Sequence, residues 1–217
     1  NTGSAYFEAE LILRNQSGEI SSTRHINALP PAARVDLPLG HPDGQLVGMY
    51  SVVPRSPELQ YSAYVARYSD CQSSPCFAFP LQTAVGTCSP QTLPISTMDP
   101  ATNWGEILNP TGNSVVAKVE LRTAQGELLN PQATEYHLPP FSQRHIHIND
   151  YLGERQVGTM KVECAAPIST ASRLISQSLF YGRVPTNPQS VEGAYASQPP
   201  PPVQQGDAMV FPVNTFL

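Results

Sequence analysis

Leu13-Arg14-Asn15-Gln16-Ser17-Gly18-Glu19-Ile20 and Leu121-Arg122-Thr123-Ala124-Gln125-Gly126-Glu127-Leu128 read as one phrase written twice. Each runs from the apolar end of a strand through a polar turn with glycine to Glu and an aliphatic residue. Outward from this pair, further matches follow in the same order. Ala28-Leu29-Pro30-Pro31 answers His137-Leu138-Pro139-Pro140, and Val35-Asp36-Leu37 answers Ile146-His147-Ile148. Gly48-Met49-Tyr50-Ser51-Val52 answers Gly158-Thr159-Met160-Lys161-Val162, and Val53-Pro54 answers Ala166-Pro167. Tyr61 to Tyr68 then corresponds to Ser172 to Tyr181. One match could arise by chance, but an ordered series marks an internal repeat.

Within each repeat the apolar period is two. Val115, Ala117, Val119 and Leu121 fall on one face of a strand, and Arg144-His145-Ile146-His147-Ile148 and Met160-Lys161-Val162-Glu163-Cys164 alternate in the same way. Gly126 supplies the positive φ that a tight hairpin turn needs. Proline (23) and glycine (14) interrupt almost every window long enough for a helix. Many short strands with regular turn signals predict an all-β chain of antiparallel sandwiches.

Charge narrows the function. The 217 residues carry 12 Lys and Arg against 17 Asp and Glu, a net charge of −5, with lysine only at Lys118 and Lys161. No basic block is present, so no nucleic-acid partner is expected. No apolar run approaches the roughly 18 residues of a membrane span. The opening Asn1, with neither an initiator methionine nor a leader, is expected of a processed or trimmed chain.

Glu106-Ile107-Leu108-Asn109-Pro110-Thr111-Gly112, a strand, a glycine turn, Leu138-Pro139-Pro140, an alternating strand and an Ala-rich final strand together resemble the immunoglobulin-like β-sandwich modules repeated in bacterial secreted and cell-surface proteins. The resemblance implies two such domains in tandem and an extracellular or cell-surface location. The expected borders are unit one at 1–98, unit two at 99–183, a Pro-rich spacer at 184–206 and a separate strand at 207–217.

The two units differ at their start. Unit two opens with Asn103-Trp104-Gly105-Glu106-Ile107-Leu108 before its Asn-Pro-Thr-Gly turn, whereas unit one begins at Asn1-Thr2-Gly3, in the turn itself. A sandwich without that strand exposes an unpaired edge. The tail supplies a strand-like segment with apolar Met209, Val210, Phe211, Val213, Phe216 and Leu217, and Leu217 followed by Asn1-Thr2-Gly3 mimics Leu108-Asn109-Pro110-Thr111-Gly112. Pro212 restricts that strand to an edge or a bulge. Four buried apolar side chains would contribute about 6 to 12 kcal/mol before ordering costs. The expected function is therefore a non-enzymatic extracellular subunit assembling head-to-tail with copies of itself into a filament or surface layer. The alternative is a monomeric adhesin, or a module binding a surface glycan or protein, with its tail folded back on its own first unit.

Cys71, Cys76, Cys88 and Cys164 are an even set, read as two disulfides rather than a zinc site. Of the three possible pairings, the favoured one places bonds within the Cys71 to Cys88 neighbourhood and across to Cys164. His145 and His147, with His137 across the proline turn, have a spacing that can ligate a transition metal. They are read instead as outward positions alternating with buried Ile146 and Ile148, and no metal is expected. Tyr61, Tyr64 and Tyr68 could contribute to a sugar platform, but are read mainly as packing residues. No nucleophile elbow, zinc-protease helix motif or phosphate-cradling loop is present, so neither catalytic residues nor a cofactor is expected.

Overall fold

The computed structural model describes residues 1–39, 48–71, 74–82, 86–98, 101–130, 134–165, 172–184, 187–197 and 199, with side chains outside 66–85 and 183–192. The tail at 207–217 lies outside the described residues. Among the described residues the first part of the chain forms β1 (Phe7–Asn15), β2 (Ile20–Leu29), β3 (Gly48–Pro54), β4 (Tyr64–Cys71) and β5 (Ser74–Gln82). The second part forms β6 (Gln91–Ser96), β7 (Ala101–Leu108), β8 (Val115–Thr123), β9 (Thr134–Leu138), β10 (Gln143–His147), β11 (Val157–Cys164), β12 (Ile175–Val184) and β13 (Asn187–Ser197). A 3-10 turn, Ile148–Asp150, follows β10. No described helix is long and apolar enough to cross a membrane.

All strand pairs are antiparallel, in sheets ordered β2-β1-β3, β4-β5, β6-β11-β8-β9 and β10-β7-β12-β13. The two four-stranded sheets share one core. Leu93, Ile95, Val115, Ala117, Val119, Leu121, Met160 and Val162 from one meet Ile107 and Ile146 from the other in a sandwich-like arrangement. Burial follows the period of two. Phe7, Ala9, Leu11 and Leu13 of β1 are buried, as are Val115, Ala117, Val119 and Leu121 of β8. The outer face of β8 and β11 is charged instead, with Lys118 bridging Glu120 and Glu163 at 3.6 Å each. Arg122 donates to Glu120 at 2.9 Å, and this hydrogen bond holds the Glu120 carboxyl below its ordinary range.

The repeat read from the sequence recurs in strand register. Leu13 faces Tyr50 and Leu121 faces Met160; Asn15 faces Gly48 and Thr123 faces Gly158. Phe7 faces Leu29 as Val115 faces Leu138. The turns agree bond by bond. Gly18 (φ 95°) and Gly126 (φ 85°) donate to Asn15 O and Thr123 O, each at 3.0 Å. Arg14 Nη1 donates to Gly18 O at 3.1 Å, and Arg122 Nη1 to Gly126 O at 2.9 Å. Asn15 Oδ1 accepts the Ser17 and Glu19 N–H groups, and Thr123 Oγ1 accepts those of Gln125 and Glu127. A short polar side chain closing its own turn explains why asparagine and threonine interchange here.

Two features depart from the sequence-drawn borders. The stretch 184–206, read as spacer, contains β13, which pairs with β12 and stacks Tyr195 on Phe180 with ring centroids 4.3 Å apart. β13 is the outer strand of its hydrogen-bonded sheet, where Pro188 is tolerated. Residues Gln91–Ser96, placed in unit one, pair with β11 and bury Leu93 and Ile95 in the core of the second repeat. Pro94 is compatible because β6 is also an outer strand.

Cys88 and Cys164 form a disulfide, with Cα atoms 5.0 Å apart, joining the loop before β6 to the end of β11. On the β4–β5 hairpin Cys71 pairs in register with Ser74, and Cys76 follows two residues later. The side chains of Cys71 and Cys76 lie outside the described ones.

Candidate assembly site

The site begins at Asn1. Its amino group donates to Ala33 O at 3.0 Å, and its side-chain Nδ2 donates to Ala5 O at 2.8 Å and Leu29 O at 2.9 Å. Its Oδ1 accepts the Gly3 N–H at 3.0 Å. Asn109 in the second repeat makes the corresponding set. Its N–H donates to Ser142 O at 2.9 Å, its Nδ2 to Asn113 O at 2.7 Å and Leu138 O at 3.2 Å, and its Oδ1 accepts the Thr111 N–H at 3.0 Å. Ala33, Ala5, Leu29 and Gly3 are the repeat partners of Ser142, Asn113, Leu138 and Thr111. An asparagine presents donors and an acceptor on one short stem, so it can tie three loop segments together.

Asn109 directly follows β7. That strand is interior to its sheet, with Leu108 facing Gln143 of β10 on one side and Ile175 of β12 on the other. In the first repeat β4 and β5 occupy the places of β12 and β13. Among the described residues β4 has β5 on one side and no strand on the other. Among the described residues, then, no strand of the first repeat occupies the place that β7 fills in the second.

The two repeats touch at the β1–β2 turn. Gln143 N–H donates to Gln16 O at 3.1 Å, and the Arg14 guanidinium lies 4.0 Å over the Phe141 ring. This junction was not legible in the sequence, because its partners come from loops of different repeats. Asn1 and Asn109 were visible in the sequence only as parts of a matching turn; their bonding role required coordinates.

The histidines do not converge. His137 is on β9, in the opposite sheet from β10, which carries His145 and His147. His145 Nδ1 lies 3.5 Å from Glu106 Oε1, and His147 Nδ1 lies 2.8 Å from Asp150 Oδ1. The Trp104 ring packs 4.6 Å from His147. Gln177 Nε2 donates to Glu106 Oε2 at 2.5 Å, so this patch is a polar network around an aromatic ring. Among the described residues no three His, Cys, Asp or Glu side chains are arranged to hold a metal ion. Tyr61 packs against Phe7 with centroids 4.9 Å apart, while Tyr64 is exposed beneath Arg34. The Tyr68 side chain lies outside the described ones.

Asn109→Ala is expected to destabilise the chain by about 2 kcal/mol, because the buried Leu138 carbonyl and the part-buried Pro139 carbonyl lose a donor. Urea unfolding of the variant, read by circular dichroism, measures this; a loss below about 0.5 kcal/mol would show that the loops do not depend on this side chain.

No protein family, curated protein or solved structure matches this chain.

Proposed function

We propose that the chain is a non-enzymatic extracellular structural subunit, built on two immunoglobulin-like units, that joins to the next copy by strand complementation. Its C-terminal segment, 207–217, enters beside β4 of a neighbour and completes that neighbour's first unit. The observation carrying this reading is that β4 has, among the described residues, no strand on its second side, while Asn1 holds the hydrogen bonds that Asn109 makes in the second repeat. An edge prepared in this way offers a row of backbone donors and acceptors to an incoming strand. Head-to-tail joining of this kind propagates as an open filament unless the rotation closes a ring. The Cys88–Cys164 disulfide suits an oxidising compartment.

A neighbour is favoured over the chain's own tail by Pro199-Pro200-Pro201-Pro202. Such a run prefers extended polyproline II and resists the reversal that a return path needs. One observation favours the other reading, a self-completed monomer acting as an adhesin. The backbones of β13 and β5 approach within 8 Å, so the last described strand already lies beside the β4–β5 sheet.

Deleting residues 207–217 separates these from unrelated behaviour. The parent protein is expected to form polymers visible by electron microscopy, and the deletion to remove them while the disulfide-linked second repeat stays folded. Polymers of unchanged length after the deletion would refute complementation by the tail. A parent that is monomeric, and whose melting temperature falls on deletion, would establish the folded-back form.

A further inference from the structure

The contact between the repeats joins two unlike parts. The β1–β2 turn of the first repeat, Arg14 to Glu19, sits on the β9–β10 loop of the second, Pro139 to Gln143. Each repeat carries both parts. The β8–β9 turn, Arg122 to Glu127, has the hydrogen bonds of the first turn. The β2–β3 loop, Pro30 to Arg34, has the form of the second loop. Ala33 N–H donates to Pro30 O at 3.1 Å as Ser142 N–H donates to Pro139 O at 3.3 Å, and Ala32 (φ 57°) answers Phe141 (φ 56°).

Joining unlike faces of two equivalent units leaves one face of each kind unmatched, unless the arrangement closes on itself. Here it does not close. Among the described residues a Cβ on Gly126 meets nothing within 4 Å, and Ala124 to Leu128 are exposed. Pro31, Ala32 and Arg34 are exposed as well, whereas Ser142 and Gln143, the counterparts of Ala33 and Arg34, are buried.

We propose that the β8–β9 turn of one copy docks on the β2–β3 loop of a second copy, repeating between molecules the contact that the two repeats make within one. Arg34 N–H then donates to Ala124 O, as Gln143 N–H does to Gln16 O. Gly126 lies against the Pro31 carbonyl as Gly18 lies against that of Pro140, so glycine serves there for room as well as for its positive φ. One part of the contact is missing. Ala32 stands where Phe141 carries the Arg14 guanidinium, so the joint between copies is weaker than the one within the chain. Because its two faces are unlike, it adds copies in one direction. It uses none of residues 207–217 and so stands apart from strand complementation.

The test is sedimentation equilibrium of the full chain over a range of concentrations, for the parent, Gly126→Asn and Ala32→Phe. Asparagine accepts a positive φ, and its Cβ has open space in the single molecule, so Gly126→Asn keeps the turn. In the joint the same Cβ meets the Pro31 carbonyl, as one on Gly18 would meet that of Pro140. The parent is expected to self-associate, and Gly126→Asn to weaken the association about tenfold. Ala32→Phe gives Arg122 the missing ring and is expected to tighten it about threefold. Circular dichroism of each variant checks that the sandwich remains folded. A parent that stays monomeric, a Gly126→Asn variant that associates like the parent, or an Ala32→Phe variant no tighter than it would overturn the contact. Association that survives Gly126→Asn but ends on deletion of residues 207–217 would overturn it while leaving strand complementation standing. Association that survives the deletion but is lost in Gly126→Asn would establish this joint without the tail.

Discussion

Replacing Cys88 and Cys164 together by alanine is expected to lower stability by about 4 kcal/mol. The two cysteines are 76 residues apart in sequence, so their bond closes a long loop and removes many unfolded conformations. It also fixes the loop entering β6, an outer strand whose inward face, Leu93 and Ile95, belongs to the shared core. Loss of the bond therefore acts on the unfolded chain and frees an edge of the sandwich. A domain is commonly stable by only 5–15 kcal/mol, so this loss is a large share of the total. Urea unfolding of the parent and the double variant under oxidising conditions measures it. A difference under about 1 kcal/mol would mean that packing alone holds β6 against β11.

Gly18→Ala is expected to cost about 3 kcal/mol, against about 1 kcal/mol for Gly126→Ala. Both glycines have positive φ in turns of the same hydrogen-bonded form, so the backbone strain of an alanine is shared. They differ in surroundings. A Cβ on Gly126 meets nothing within 4 Å, whereas one on Gly18 would lie 2.1 Å from the Pro140 carbonyl oxygen. That oxygen is backbone and cannot rotate away, so the β1–β2 turn must lift off the β9–β10 loop. Lifting it breaks the Gln143–Gln16 hydrogen bond and the stacking of Arg14 on Phe141. The junction has little in reserve, since Arg14 Nε and Gln143 Nε2 are buried there without a hydrogen-bond partner among the described residues. The difference between the two variants thus reads the docking of one repeat on the other. Equal losses in thermal or urea unfolding would mean that the repeats are not held together at this turn.

Legibility varied with the range of the interactions involved. The strand faces of Val115 to Leu121 and of Met160 to Cys164 followed from alternation, which depends only on neighbouring residues. The repeat was legible because corresponding turns impose corresponding sequence needs: a glycine at positive φ, and a polar side chain three positions earlier to close the turn. The histidine patch was half legible. Alternation gave the outward positions of His145 and His147, but their carboxylate partners, Glu106 and Asp150, depend on how β7 and the 3-10 turn lie beside them.

The chain's own sequence determined its all-β character, its repeated turn and the faces of its main strands, because each rests on contacts within a hairpin or on the two-residue period of extended backbone. Tertiary structure alone decided that Gln91–Ser96 joins the second repeat, that Asn187–Ser197 is a strand in spite of nearby prolines, and that Asn1 takes up the bonds of Asn109. These outcomes depend on partners tens of residues away. Their free energy comes from burying apolar faces and satisfying backbone groups across that distance, which no local pattern records.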